Sequence, residues 1–119
     1  MAKQREVFDK PREITQDDLV TALAEDGTVL VDVREPMEYR AGHVPGAQLM
    51  PLGRLGDTVD ELPTDRRVLV ICQSGKRSLT ATDALRQRGI EAYSVAGGTS
   101  AWAEAGRQIV TGPYAAPTD

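Results

Sequence analysis

Two short runs, Val29-Leu30-Val31-Asp32-Val33 and Val68-Leu69-Val70-Ile71, constrain the fold more than any other feature of this chain. Each is almost continuously apolar and rich in β-branched residues. A strand of that kind needs cover on both faces, so it belongs inside a sheet rather than at a wetted surface. The segments between and around these runs carry helical patterning. Strands alternating with helices predict a parallel sheet, because parallel neighbours need a long crossover. With 119 residues, 40% of them hydrophobic and 27% charged, the chain is long enough for one domain with a single good core.

Read in order, Arg12-Glu13-Ile14 predicts a short edge strand. Thr15-Gln16-Asp17-Asp18 has the pattern of a helix start, with Thr15 as N-cap and acids in the first turn; the helix runs to near Gly27. Glu35 to Arg40 fits a short helix with Pro36 in its first turn. Gly42-His43-Val44-Pro45-Gly46 is a turn, and Ala47 to Met50 a third strand. Leu52 to Leu62 is ambiguous and is assigned a short helix. The helix from Leu79 to Arg88 is closed by Gly89, and Ala92 to Val95 forms the last strand. Gly97-Gly98 turns into a helix from Thr99 to about Ala105. Residues 1–11 are an N-terminal extension, 12–106 the domain and 107–119 an irregular tail.

In an open parallel sheet, ligands bind beyond the carboxyl ends of the strands. Cys72 lies at such an end, after Ile71; Asp32 and Arg34 lie at a second, and Gly97-Gly98 at a third. Three strand ends thus point to one site. Cys72 is the only cysteine. It is followed by Gln73, Ser74, Gly75, Lys76, Arg77 and Ser78, with Ser78 expected to be the next helix's N-cap. Loop amides, a helix's positive end and two cations all favour thiolate over thiol. An unperturbed thiol with a pKa of about 8.5 is only roughly 3% ionised at pH 7, so a drop of about two units raises the reactive fraction more than tenfold. The competing reading, a buried structural cysteine, does not explain the flanking loop.

Other functions are disfavoured by composition. No apolar run approaches membrane-spanning length. A net charge of −4, sparse aromatics and no long basic cluster argue against nucleic acid. A lone cysteine cannot form an internal disulfide, and the first ten residues lack the apolar centre of a signal peptide, so a cytoplasmic location is expected. No His/Cys cluster supports a metal, and no cofactor is expected.

Four stretches together resemble the rhodanese family: Val31-Asp32-Val33-Arg34-Glu35-Pro36 with Glu38-Tyr39, Gly42 to Ala47, Cys72 to Ser78, and Gly97-Gly98 with Ala101-Trp102. They span roughly Glu13 to Ala105 in family order. The resemblance implies a three-layer α/β domain with a central, mostly parallel sheet of five strands, flanked by helices on both faces. It implies thiosulfate sulfurtransferase chemistry through a persulfide on Cys72. Thiosulfate or another sulfane donor would supply the sulfur, and cyanide, a small thiol or a thiol protein would accept it. A monomer or weak dimer is expected.

Within that picture each residue keeps a plainer alternative. Lys76 either attracts an anionic donor or is a solvated loop lysine. Arg77 either faces substrate or braces the loop through a carboxylate such as Asp32, the latter being favoured. Asp32 is a poor general acid and a better partner for Arg77 or for loop amides. Arg34 either collects anions at the pocket mouth or forms a salt bridge. His43 invites a Cys–His pairing, but a fixed backbone hydrogen bond is the commoner fate. Trp102, Tyr39, Met37 and Met50 are read as packing residues. Three rival functions remain: a partner-docked sulfur carrier, a non-catalytic module of the same family, and a Cys-loop phosphatase or arsenate reductase. Phosphatases of related fold place five residues between Cys and Arg, whereas only Gln73 to Lys76 intervene here.

Overall fold

The computed structural model describes residues 7–25 and 27–115. The chain forms β1 (Glu13–Ile14), α1 (Gln16–Leu23), β2 (Val29–Asp32), α2 (Pro36–Ala41) and β3 (Gln48–Leu49). A 3-10 turn (Leu52–Arg54), the single-turn α3 (Leu55–Thr58) and a second 3-10 turn (Val59–Glu61) follow. Then come β4 (Arg67–Ile71), α4 (Lys76–Gln87), β5 (Glu91–Val95) and α5 (Gly98–Glu104). The strands make one five-stranded sheet in the order β1-β5-β4-β2-β3. Every pairing is parallel.

The sheet has helices on both faces, as the two apolar runs require. Val31, Val33, Val68, Val70 and Ala92 pack against Leu55, Val59, Leu62, Ala81 and Leu85, which places α3 and α4 on one face. The alternate residues Leu30, Leu69, Ile71, Tyr93 and Val95 pack against Leu19, Ala22, Tyr39 and Trp102, which places α1, α2 and α5 on the other. Burying one such aliphatic side chain contributes about 1.5–3 kcal/mol. β4, at the centre, is the strand that delivers Cys72.

Local signals set the helix starts. Thr15 Oγ1 accepts from the Asp18 amide at 3.0 Å, and Asp18 Oδ2 accepts from the Thr15 amide at 3.0 Å, a reciprocal cap on α1. Pro36 opens α2, as read from sequence. Three expectations need correction. Leu52 to Leu62 is not one helix but three successive short turns; with glycines at 53 and 56 the segment has little helical propensity of its own. α1 ends at Leu23, short of Gly27. α4 begins at Lys76 rather than Leu79, and its N-cap is Gly75, with φ of 105°, not Ser78. Ser78 lies inside the first turn. Beyond α5, Val110 pairs with His43 in an isolated antiparallel bridge.

One buried cation ties the periphery to the sheet. Arg86 is 1% exposed; its guanidinium donates to the carbonyls of Ala92 (2.8 Å), Lys10 (3.0 Å) and Pro11 (2.7 Å). The segment before β1 is thereby fastened to β5. Arg86→Met preserves volume but orphans these acceptors, so it should cost about 2–4 kcal/mol of stability, read from denaturant midpoints at unchanged m-value.

Candidate active site

Cys72 follows the last residue of β4 and is 1% exposed. Its Sγ accepts a hydrogen bond from the Gly75 amide at 3.1 Å and lies 3.4 Å from Ser78 Oγ. The loop bends sharply to achieve this, and Gly75 adopts the left-handed conformation, with its Cα side close to the Gly97 amide. Burial pushes the thiol's pKa up, but the Ser78 hydroxyl and the amides of Ser78, Gly75 and Ser74 outweigh it, and the net shift is downward. Ionisation is therefore easier than for an ordinary thiol, chiefly through hydrogen bonds.

The loop's shape is fixed from outside. The Thr99 amide donates to the Cys72 carbonyl at 2.8 Å, Thr99 Oγ1 donates to the same oxygen at 3.0 Å, and the Ser100 amide donates to the Gln73 carbonyl at 3.0 Å. Gly98 makes the approach possible. A Cβ there would lie 2.5 Å from the Cys72 carbonyl oxygen, and its φ of +60° suits glycine.

The cations are tied down. Arg34 and Asp32 form a buried ion pair, 2% and 0% exposed. Arg34 Nη2 lies 2.8 Å from Asp32 Oδ2 and Nε lies 3.0 Å from Oδ1; its Nη1 also donates to Gln73 Oε1 at 3.0 Å and Nη2 to the Gly42 carbonyl at 2.8 Å. Gln73 Nε2 donates onward to Ser100 Oγ at 2.6 Å. Arg34 is thus a salt-bridge residue that braces the cysteine loop. Arg77 does not pair with Asp32, which Arg34 occupies. It makes a bidentate pair with Glu38, both contacts 2.8 Å. Glu38 Oε1 also accepts from the Glu35 amide at 3.0 Å, so one carboxylate caps α2 and holds the first turn of α4. Lys76, the first residue of α4, is exposed and forms no ion pair among the described residues. Gln73 and Ser74 are exposed, and Gly75 and Ser78 buried.

The three strand ends therefore meet where expected. His43 does not join them: its ring stacks on Tyr39 at 3.6 Å, and its nitrogens lie 2.7 Å from the Tyr39 carbonyl and 2.8 Å from the Tyr114 carbonyl. Trp102 packs in the core. A cleft of about 390 Å³ opens beside the loop, lined by Arg34, Glu38, Gln73, Ser100, Ala103 and Ile109 among others. Glu38 has no evident role in the sequence, and Thr99, Ser100 and Ser94 stand outside the residues that the motifs mark. The usable signal for Ser94 was a serine on the inward, Ala92 side of a buried strand.

The family model described as Rhodanese-like domain matches residues 15–105. The chain belongs to the rhodanese-like family. It is 37% identical to a protein named Sulfurtransferase from Allochromatium vinosum over 100 residues, covering 82% of this chain and 94% of that one. It is 42% identical over 74 residues to the uncharacterized protein YqhL of Bacillus subtilis, covering 61% of this chain and 59% of YqhL. Among solved structures, a rhodanese-related protein from Thermoplasma volcanium superposes with a TM-score of 0.79 at 32% identity, covering 85% of this chain and 99% of that chain. This rhodanese-like domain has no helix among its described residues that is long and apolar enough to cross a membrane.

Two outcomes follow from the site's electrostatics. The alkylation midpoint of Cys72 should fall below the ordinary value of about 8.5, and Ser78→Ala should raise it by about one unit, the equivalent of one charge-assisted hydrogen bond. Iodoacetamide rates against pH measure both. Glu38 has its pKa lowered to about 2, first by its bonds to Arg77. The lowered value means the pair stabilises the fold above the ordinary carboxyl pKa and is lost as pH falls toward 2. Both side chains are over a third exposed, at 38% and 34%; solvent screening limits the pair to about 1 kcal/mol. Glu38→Gln should therefore be less stable than the parent by about that amount at pH 7, with the gap closing in acid melts.

Proposed function

We propose that this domain is a sulfurtransferase in which Cys72 carries sulfur as a persulfide. The observation that carries the reading is the buried Sγ facing the Gly75 amide and the Ser78 hydroxyl at the amino end of α4. The Cys72 thiolate attacks the outer sulfur of thiosulfate, forming an S–S bond as the bond to the sulfonate sulfur breaks. Sulfite leaves with its electron pair, and the negative charge passes to the terminal sulfur of the persulfide. Cyanide or a thiolate then attacks that sulfur, and Cys72 regains its thiolate. Charge is conserved at both steps and no proton donor is needed, so the commitment of Asp32 to Arg34 is no obstacle. Turnover is a two-step covalent exchange with ping-pong kinetics. Loop amides and the positive end of α4 support the anions, and exposed Lys76 draws the dianionic donor. A persulfide carrier serving one docked protein uses the same first step with a different donor.

Geometry argues against oxyanion transfer from a phosphate ester. A phosphate cradle needs a guanidinium to grip oxygens, yet both terminal nitrogens of Arg77 are on Glu38. The four-residue interval from Gln73 to Lys76 leaves a small cradle. One similar structure, from Rhodopseudomonas palustris, is described as a possible tyrosine phosphatase, so the distinction is worth measuring.

Incubation with thiosulfate should add one sulfur, about 32 Da, to the Cys72 peptide, as the covalent intermediate requires. Addition of cyanide should remove it and release thiocyanate. Cys72→Ser should show neither. Thiocyanate formation by that variant, or aryl-phosphate hydrolysis by the parent with no sulfur adduct, would overturn the assignment.

A further inference from the structure

Ser94 lies on β5, sixteen residues beyond Ser78 and outside the cysteine loop. Its side chain is fully buried, and its Oγ is 2.7 Å from Ser78 Oγ. Ser78 Oγ is in turn 3.4 Å from Cys72 Sγ. The three atoms form a chain that runs from the sheet to the sulfur. Ser94 shares a register position with Val70 and a sheet face with Ala92, both in the apolar layer beneath α4. A hydroxyl there is unexpected on packing grounds and costs free energy unless it is bonded. Ser78 faces it because positions 78, 81 and 85 lie on one side of α4, and Ala81 and Leu85 pack on the same layer.

The chain has two settings. With a thiol at Cys72, the S–H donates to Ser78 and the Ser78 hydroxyl donates to Ser94. With a thiolate, the direction reverses: Ser94 donates to Ser78, and Ser78 donates to Sγ. The hydroxyl–hydroxyl bond exists in both settings, but it is stronger when the chain ends on an anion, because each bond polarises the next. Removing Ser94 therefore costs the thiolate more than the thiol.

We propose that Ser94 is a positioning residue for sulfur transfer: its buried hydroxyl directs the Ser78 hydroxyl at Cys72 Sγ and so supports the ionised nucleophile. The proposal rests on the sulfurtransferase reading only for its consequence in turnover. Ser94 touches neither donor nor acceptor and acts through Ser78.

The test is a double-mutant cycle read by iodoacetamide alkylation against pH, with Ser94→Ala, Ser78→Ala and both together. Ser94→Ala should raise the Cys72 midpoint by about half a unit, the polarisation expected from one neutral link in a charged chain. The double variant should match Ser78→Ala alone, since Ser94 has nothing to direct once the Ser78 hydroxyl is gone. Ser94→Cys, similar in shape but a weaker donor, should fall between Ser94→Ala and the parent. Sulfur loading from thiosulfate should slow about threefold in Ser94→Ala at a pH well below the parent's measured midpoint and match the parent well above it, following the same half-unit shift. An unmoved midpoint, strictly additive shifts in the cycle, or equal slowing at both pH values would overturn the proposal. Should the parent itself take up no sulfur, the functional reading fails, while the alkylation cycle still decides the role of Ser94.

Discussion

The contact on which this site depends is made not by the cysteine loop but by the start of α5. The amides of Thr99 and Ser100 take the carbonyls of Cys72 and Gln73. In a trans peptide the carbonyl and the following N–H point opposite ways. Turning those two oxygens toward α5 therefore turns the amides of Gln73 and Ser74 the other way, toward the concave side of the loop. The Ser74 amide is among the groups that lower the Cys72 pKa. A glycine pair is needed because α5 must reach the loop backbone itself. Any side chain at Gly98 would collide with the oxygens it serves to fix.

The charges support this frame rather than filling it. Arg34 is consumed by Asp32, Gln73 and the Gly42 carbonyl, and Arg77 by Glu38. A buried ion pair recovers its desolvation cost only if its remaining groups are also bonded. Asp32 and Arg34 meet that condition, since the Arg34 amide donates to Asp32 Oδ1 and the guanidinium has two further acceptors. Each pair ties the loop to a different element, one to the end of β2 and the other to α2. With these guanidiniums held, stabilisation of negative sulfur falls to amides and hydroxyls at fixed distance. Such dipoles would need little reorganisation in the proposed exchange, where charge moves by one atom along an S–S bond.

The sheet and its order of elements were readable because apolar, β-branched runs alternating with helical patterning leave few choices, and the place of Cys72 followed from the end of one such run. The helix starts were less accessible. Ser78 has the chemistry of an N-cap, but Gly75 alone can take the left-handed turn next to Gly97, so the helix begins three residues early and the serine is freed to face the sulfur. Which carboxylate braces Arg77 is hidden for a related reason. Asp32 and Glu38 are equally plausible by sequence, and only the packing of α2 beside α4 decides between them. Ser94 had no sequence signal beyond polarity at an inward strand position, because its partner lies in a first helical turn that the sequence places outside the helix.

The depth of Cys72 bears on how such a site exchanges sulfur at all. At 1% exposure the Sγ atom is poorly placed for a bulky partner. A persulfide, however, extends the chain by one S–S bond of about 2 Å. The atom to be transferred would then stand nearer the surface than the atom that holds it, and an acceptor would need to reach only the outer sulfur. On the proposed persulfide reading, burial would separate two demands that a surface cysteine would confuse: the nucleophile would be kept from bulky disulfide partners, while its cargo would stay within reach. The chain has no second cysteine to attack that outer sulfur, so its release depends on a nucleophile from outside.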